Sequence, residues 1–216
     1  MTRIVLYAEG VGETGSGLPL RPGEPIPREH YGPGHILVAR SIEKIHNVPL
    51  NALRFESPLR TVTGRIARGS DLHHRESLRR LLTWAQPSVR PHAAVVLVDR
   101  NDEAQRKHRL SRYVEGLPGN IVISVATKEF EAWLISDQEA VTNVLCAPLP
   151  QIGLPQNLRA GEAKRLLAEW CRDHVPGRDQ RTIRVNIANT IRISELERRS
   201  RSYNGFLREL GDVRFG

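Results

Sequence analysis

The stretch VVLVDRND, residues 95 to 102, changes abruptly from apolar to oxygen-bearing side chains. The apolar half extends back to Ala93, and a continuous apolar run of this length predicts a central strand buried on both faces of a sheet. The polar half places Asp99, Asn101 and Asp102 directly after that strand. A solvated turn would explain these residues, and so would a site for Mg²⁺ or Mn²⁺, which prefer oxygen ligands.

Two further apolar segments have the composition of strands, RIVLYA at 3–8 and NIVISVA at 120–126. Residues 51–59 contain a possible short strand. Segments 35–46 and 71–86 carry apolar residues at helical spacing. Strands that alternate with helices are typical of βαβ units. We therefore predict an α/β fold with a Rossmann-like parallel sheet flanked by helices.

The last third of the chain has a different character. After residue 140 there is no strand pattern, whereas 159–174 is amphipathic and 185–210 has room for one or two helices. We predict an α/β domain of residues 1–140 and a small helical C-terminal extension, residues 141–216, packed on it.

Acidic residues follow three of the predicted strands. Glu9 comes after the first, Asp99 after the central one and Glu129 shortly after the last. Carboxyl ends of parallel strands share one edge of a sheet, where ligands bind in open α/β folds. Carboxylates crowded there repel one another and need a cation. The pattern predicts a divalent metal site, with Asn101 and Asp102 as further candidate ligands.

The charge of the chain favours an anionic partner. Its 216 residues carry a formal net charge of +8 and have a pI near 10.2. Nucleic acid is the first candidate, and we predict contacts from Arg68, Lys128 and Lys164. Only four of the 32 basic residues are lysines, and a GC-rich genome could produce the same excess of arginine. For Lys164 the alternative to a nucleic-acid contact is a merely solvated position.

Several other classes of protein are disfavoured. No segment approaches the ~20 apolar residues that cross a bilayer, and the first ten residues lack the features of a signal peptide. Cys146 and Cys171 form neither a disulfide framework nor a metal-finger spacing. Without a GxxxxGK[ST] loop, any use of ATP belongs to a partner protein. We expect a cytoplasmic protein that is not bound to a membrane.

Some residues near these segments are expected to be structural. Phe130 and Trp133 fall at helical spacing and are predicted to lie in the core. The pair His73 and His74 has no companion at ligand spacing, so we expect a solvated helix start.

Three motifs in order resemble one known family. They are AEGVGE at 8–13, LVDRND at 97–102 and KEFEAWL at 128–134. Together they resemble the Toprim fold of topoisomerases, primases and small RNA-maturation nucleases. They are most similar to little-characterised small Toprim-like proteins with an EGxxE start and an EFEAW-type third motif. Some of those proteins lie beside ATPases in phage-defence gene clusters, and the resemblance covers most of the chain.

The resemblance implies a Mg²⁺- or Mn²⁺-dependent nuclease or phosphodiester-hydrolysing enzyme, with a possible role in anti-phage defence. It places acid/base or metal-binding roles on Glu9, Glu13 and Asp99. Glu131 joins Glu129 as a candidate ligand, although the two lie two residues apart and face different ways on a helix, so we expect only one to bind metal.

The sequence departs from the family at the second acidic position of the central motif, which is Asn101. An amide oxygen can bind a cation but adds no charge, so metal affinity should be weaker unless Asp102 contributes. This favours the alternative of a non-catalytic or effector-gated subunit that binds an ATPase partner or nucleic acid.

Overall fold

The computed structural model describes residues 1–15, 18–83, 91–100 and 103–214. Across these ranges the sheet has the order β2-β1-β3-β4, and all of its strand pairs are parallel. The strands are β1 (Thr2–Ala8), β2 (Leu53–Glu56), β3 (Ala93–Asp99) and β4 (Ile121–Ala126). The predicted α/β fold with a parallel sheet is confirmed.

Both faces of the sheet are buried, which explains the continuous apolar runs. Ile4, Leu6 and Ala8 of β1 point into one hydrophobic cluster. Val5 and Tyr7, which alternate with them, point into a second cluster on the opposite face. Alternate side chains of a strand project to opposite faces, so a strand between two helical layers needs apolar residues at every position.

Helices cover the two faces unequally. The second cluster is covered by α3 and α4, and the first by α2 and the helices after β4. The helices are α1 (Val11–Thr14), α2 (Pro33–His46), α3 (Arg75–Leu82), α4 (Arg106–Val114), α5 (Glu131–Leu134), α6 (Gln138–Leu145), α7 (Glu162–His174), α8 (Gln180–Thr190), α9 (Ile193–Arg199) and α10 (Arg201–Gly211).

The C-terminal segment forms more helices than predicted. The expectation of one or two helices at 185–210 is wrong, because α8, α9 and α10 all pass through this range. Ser200 ends the second of them, with φ −125° and ψ 108°, and its side chain accepts a hydrogen bond from the Tyr203 N–H. Ser200 ends α9 and caps α10, although the apolar pattern of the sequence continues across it and predicts one helix.

The C-terminal helices share the core of the sheet. Helix α10 packs on β4, and Trp133 of α5 packs against Tyr203 and Phe206 of α10. Phe130 and Trp133 are each 1% exposed, which confirms their predicted place in the core. The division of the chain after residue 140 stays a prediction.

A buried carboxylate connects two of these helices. Asp137 caps α6, and its side chain accepts hydrogen bonds from the Arg192 N–H and guanidinium at 2.6 to 2.9 Å. This fixes the start of α9 against the start of α6. Within the described ranges, no helix has both the length and the apolar character to cross a membrane.

Candidate functional site

The strand order creates a crevice between β1 and β3. The chain leaves β1 towards β2 on one side and later reaches β3 on the other, so the connections diverge there. Such a switch point is where open α/β sheets bind ligands, beyond the carboxyl ends of the strands. Glu9 follows β1 and Asp99 ends β3, and the Asp99 N–H donates to Glu9 Oε2 at 2.9 Å. Two of the predicted acids therefore meet at this crevice.

Glu13 joins them from the short helix α1. Its side chain is 7% exposed, and its Oε2 has no hydrogen-bond partner among the described residues. The neighbouring Gly10 allows this position, because a Cβ there would lie 2.5 Å from Oε2 of Glu13. The glycine of the EGxxE motif thus makes room for its second acid.

The third motif contributes Glu131. This residue begins α5, is 3% exposed and forms an ion pair with Arg184 at 2.9 Å. The main chain beside it is fixed by the Phe130 N–H, which donates to Asp99 Oδ1 at 2.8 Å. The EFEAW segment is therefore bound directly to the end of β3.

Glu129 has a different hydrogen-bond partner from the other acids, although the charge of Glu131 acts on it as well. Its Oε1 accepts a hydrogen bond from the Lys164 N–H at 2.7 Å, in the first turn of α7. A carboxylate in this position stabilises the N-terminus of a helix. Glu129 and Glu131 thus have different surroundings, as their spacing predicts, and it is Glu131 whose charge acts on Asp99 and Glu13.

Burial and mutual repulsion raise the pKa values of two of the acids into the neutral range or above it. Burial raises the pKa of Asp99 to about 8, and the charges of Glu13, Glu9 and Glu131 add to the effect. Burial also raises the pKa of Glu13 to about 7, with a further contribution from Glu131. Carboxylates with raised pKa values in a cleft are candidates for proton transfer or cation binding.

Glu9 has the opposite environment. Burial opposes its ionisation, but His73, the Asp99 N–H and Arg106 outweigh burial and hold the pKa of Glu9 below its usual value. His73 Nε2 lies 3.4 Å and Arg106 Nη1 lies 3.6 Å from the Glu9 carboxylate. The expectation that His73 and His74 form a solvated helix start is confirmed for His74, which is exposed and directly precedes α3, but is wrong for His73, whose side chain is 18% exposed and packs against Glu9.

The acids suit a divalent cation by charge. Four carboxylates, those of Glu9, Glu13, Asp99 and Glu131, face the guanidiniums of Arg106 and Arg184. The buried, unpartnered Oε2 of Glu13 is the type of oxygen that a hard cation binds.

The coordination geometry is not complete in the described ranges, where no three His, Cys, Asp or Glu side chains are placed to hold one metal ion. The candidate ligands Asn101 and Asp102 lie outside the described residues.

The predicted nucleic-acid contacts lie around the same edge. Lys128 precedes Glu129 in the chain, and the backbone of Lys164 binds the Glu129 carboxylate. Arg68 is exposed, and the next residue, Gly69, donates its N–H to the carbonyl of Glu9 at 3.0 Å. The role of all three residues stays a prediction.

Three residues of the site have no signature in the sequence. His73, Arg106 and Arg184 come from separate segments and belong to none of the three motifs. Arg184 reaches Glu131 because α8, which carries Arg184, packs against α5. The one local hint is Gly12, where a Cβ would lie 2.8 Å from the Arg184 guanidinium.

The raised pKa values predict a stability that depends on pH. The pKa of Asp99 rises from 3.8 to about 8 on folding, and that of Glu13 from 4.5 to about 7. The folded chain therefore keeps protons that the unfolded chain releases, and stability falls as pH rises through these values. We expect the melting temperature without divalent cation to drop between about pH 5 and pH 8, by roughly 2 to 4 °C for each kcal/mol, because only between the unfolded and the folded pKa values do the two states differ in bound protons.

Asp99→Asn is the control, because an asparagine does not titrate. Melting curves measured by circular dichroism in chelator should show a smaller drop for this variant. Equal drops for the two proteins would show that Asp99 is not the titrating group.

Comparison with known proteins gives a distant structural likeness. No protein-family model matches the chain, and no curated protein matches it. Among solved structures, the C-terminal region of the Burkholderia pseudomallei OLD protein is similar over 97% of this chain and 97% of that chain, with 13% sequence identity and a TM-score of 0.43. A likeness this distant supports no conclusion about activity, so any proposed function must depend on the site itself.

Proposed function

We propose that this chain is a Mg²⁺- or Mn²⁺-dependent phosphodiesterase of the Toprim type that cleaves nucleic acid. The observation that carries the proposal is the group of four carboxylates at the switch point of a parallel sheet, two of them with pKa values raised to about 7 and 8. The order of the three motifs supports the same reading, as does the net charge of +8.

The environments of these residues suit them to different roles in catalysis. A divalent cation, when bound, would polarise the scissile phosphate and activate a water molecule. Asp99 and Glu131 would hold it, with Asn101 and Asp102 as further candidates. Glu9, kept ionised by His73 and Arg106, would accept a proton from the attacking water, although its low pKa makes it a weaker base than Glu13.

Glu13 is suited to a second proton transfer. A pKa of about 7 lets it exist in both protonation states near neutral pH, which is what a general acid or base needs. Its position one turn after Glu9 would allow it to protonate the leaving oxygen. Arg184 would add positive charge at the same place.

A second candidate function is a non-catalytic subunit that binds an ATPase partner or nucleic acid. Two observations favour it. Glu131 is already paired with Arg184, and no three candidate ligands within the described ranges are arranged around one metal position. A role in anti-phage defence belongs to either proposal through the motif resemblance alone.

A cleavage panel distinguishes the two functions. The full chain is incubated with single- and double-stranded DNA and RNA in Mg²⁺, in Mn²⁺ and in chelator, and the products are separated on denaturing gels. The enzyme reading predicts cleavage of at least one substrate in either metal and none in chelator. Binding without cleavage under every condition would favour the subunit.

Gly10→Ala tests the arrangement of the EGxxE motif. The new methyl group would lie within 3 Å of the whole Glu13 carboxylate, so this flexible side chain must move. We expect the fold to survive and Mn²⁺ binding, measured by titration calorimetry, to weaken about 10-fold, since displaced groups around metal ligands typically cost ~10- to 100-fold in affinity.

Gly205→Ala serves as the matched control, because its nearest neighbour in space would be the flexible end of Lys107 at 3.7 Å. Unchanged Mn²⁺ affinity in Gly10→Ala would mean that Glu13 takes no part in binding the cation.

A further inference from the structure

A cavity of about 250 Å³ lies beside the acidic crevice and shares a wall with it. Gly10, which packs against the Glu13 carboxylate, also lines this cavity. The remaining walls come from the end of β1, from residues after β2, from the loop at 60–68, from residues between α1 and α2, and from His35 of α2. That loop is tied to the crevice by the hydrogen bond from the Gly69 N–H to the Glu9 carbonyl. A molecule bound in the cavity would therefore extend towards the candidate catalytic acids.

The interior of the cavity is mostly apolar. The residues that form it are Leu6, Ala8, Leu18, Leu20, Ile26 and Ile66. Its volume is below the ~300 to 1,000 Å³ of sites that enclose drug-sized ligands. A single flat ring system is the type of group that such a space accepts.

Three neutral polar side chains also line the cavity, those of Thr14, His35 and Ser57. His35 is 2% exposed, and its Nδ1 accepts a hydrogen bond from the Gly32 N–H at 3.2 Å. Burial lowers the pKa of His35 to about 3, with Arg181 adding to the effect, so the ring is neutral at physiological pH. A neutral imidazole that accepts at Nδ1 carries its proton at Nε2. His35 therefore offers one donor to a ring nitrogen or carbonyl oxygen.

The mouth of the cavity is positively charged. Arg60, Arg65 and Arg68 line it. The guanidinium of Arg65 forms an ion pair with Asp71 at 2.7 Å, which neutralises its charge. Among the described residues, the guanidinium of Arg60 donates to the uncharged carbonyls of Leu20 and Gly64. Arg68 has no ion pair with any described residue and is exposed. Two guanidinium charges are thus left for an anionic group, and guanidiniums suit phosphate.

We infer that this cavity binds a nucleotide, with the base inside the apolar space and the phosphate at Arg60 and Arg68. A mostly apolar cavity with a few neutral polar groups can accept the faces of a base and hydrogen-bond with its polar edge atoms. Enzymes that act on nucleic acids hold unstacked bases in pockets of this kind. The nucleotide would be either one residue of a bound strand or a free nucleotide that regulates the site. The first of these forms rests on the proposed function, and the second does not.

The test is nucleotide binding to the full chain in chelator, where metal-dependent cleavage does not occur. AMP, GMP, CMP and UMP are titrated by calorimetry, with adenosine and ribose 5-phosphate as probes for the two halves of the ligand. We expect at least one monophosphate to bind better than either half alone. Arg68→Ala should weaken binding about 10-fold, since hydrogen bonds to charged groups are the stronger ones.

Two further variants separate a specific loss from a general one. Leu20→Trp fills the half-buried side of the cavity and should abolish binding of the monophosphates. Arg208→Ala removes the same charge from the exposed face of α10 and should leave binding unchanged. Melting curves show whether each variant is folded. If Leu20→Trp is unfolded, the result for Arg68→Ala still tests the inference.

Competition with a short 5′-phosphorylated single strand of DNA or RNA identifies the source. Displacement of the bound monophosphate by the strand assigns the cavity to the substrate, and failure to displace it assigns the cavity to a free nucleotide. No binding of any monophosphate at millimolar concentration, or binding unaffected by both Arg68→Ala and Leu20→Trp, would overturn the inference. If nucleotides bind but no metal-dependent cleavage is found, the proposed function fails while the cavity assignment stands.

Discussion

Asp99→Asn should abolish metal-dependent cleavage while leaving the fold intact. Loss of groups that merely support metal ligands costs ~10- to 100-fold, so removal of a ligand itself should reduce the cleavage rate by more than about 100-fold. The Asp99 carboxylate is the one whose pKa is affected by Glu13, Glu9 and Glu131 together, which places its charge at the centre of the group.

The substitution is informative because it changes charge and little else. An asparagine at this position keeps a side-chain oxygen. This oxygen can still accept the hydrogen bond from the Phe130 N–H, which is 2.8 Å long in the wild type and holds the third motif in place. It removes the negative charge that a cation would neutralise. The loss of activity would therefore come from the chemistry of the site and not from a displaced α5.

The measurement compares single-turnover cleavage rates in saturating Mn²⁺ for the wild type, Asp99→Asn and Asp173→Asn. Asp173 is an exposed aspartate at the end of α7, so the control makes the same substitution away from the sheet edge. Cleavage by Asp99→Asn at the wild-type rate would place the active site elsewhere on the molecule.

Trp133→Ala should produce the largest loss of stability, about 3 to 5 kcal/mol of unfolding free energy. Trp133 is 1% exposed and packs against Phe130, Tyr203 and Phe206, with ring centroids 5.0 to 5.9 Å away. Its Nε1–H also donates to Ser202 Oγ at 2.9 Å. An alanine would leave a large cavity between α5 and α10, and the rigid sheet beside it limits relaxation.

Two milder variants divide this loss into its parts. Trp133→Phe keeps most of the ring packing but removes the Nε1–H donor, a loss of about 0.5 to 1.5 kcal/mol. Ser202→Ala removes the acceptor of this hydrogen bond, and with it the acceptor of the Thr127 N–H and the contact with Ser200 Oγ. Urea unfolding monitored by circular dichroism gives each value. A loss below about 1 kcal/mol for Trp133→Ala would mean that the C-terminal helices do not depend on this contact, and it would favour an independently stable domain of residues 1–140.

The sequence determined the sheet and the order of its acids. Apolar runs at 3–8, 93–98 and 120–126 predict buried strands because both faces of this sheet are covered, and burial leaves no alternation of polar residues. Since parallel strands share a carboxyl edge, the positions of Glu9 and Asp99 after their strands were enough to predict that they meet.

Tertiary structure alone decided the electrostatics of the site. His73, Arg106 and Arg184 approach the acids only after separate helices pack on the sheet, and no local spacing encodes contacts made over such distances along the chain. The same holds for the pKa values of Glu9 and Glu13. The two belong to one short motif, yet their pKa values shift in opposite directions. Contacts to Glu9 outweigh its burial, whereas burial dominates at Glu13, and both depend on groups that only the folded chain brings near.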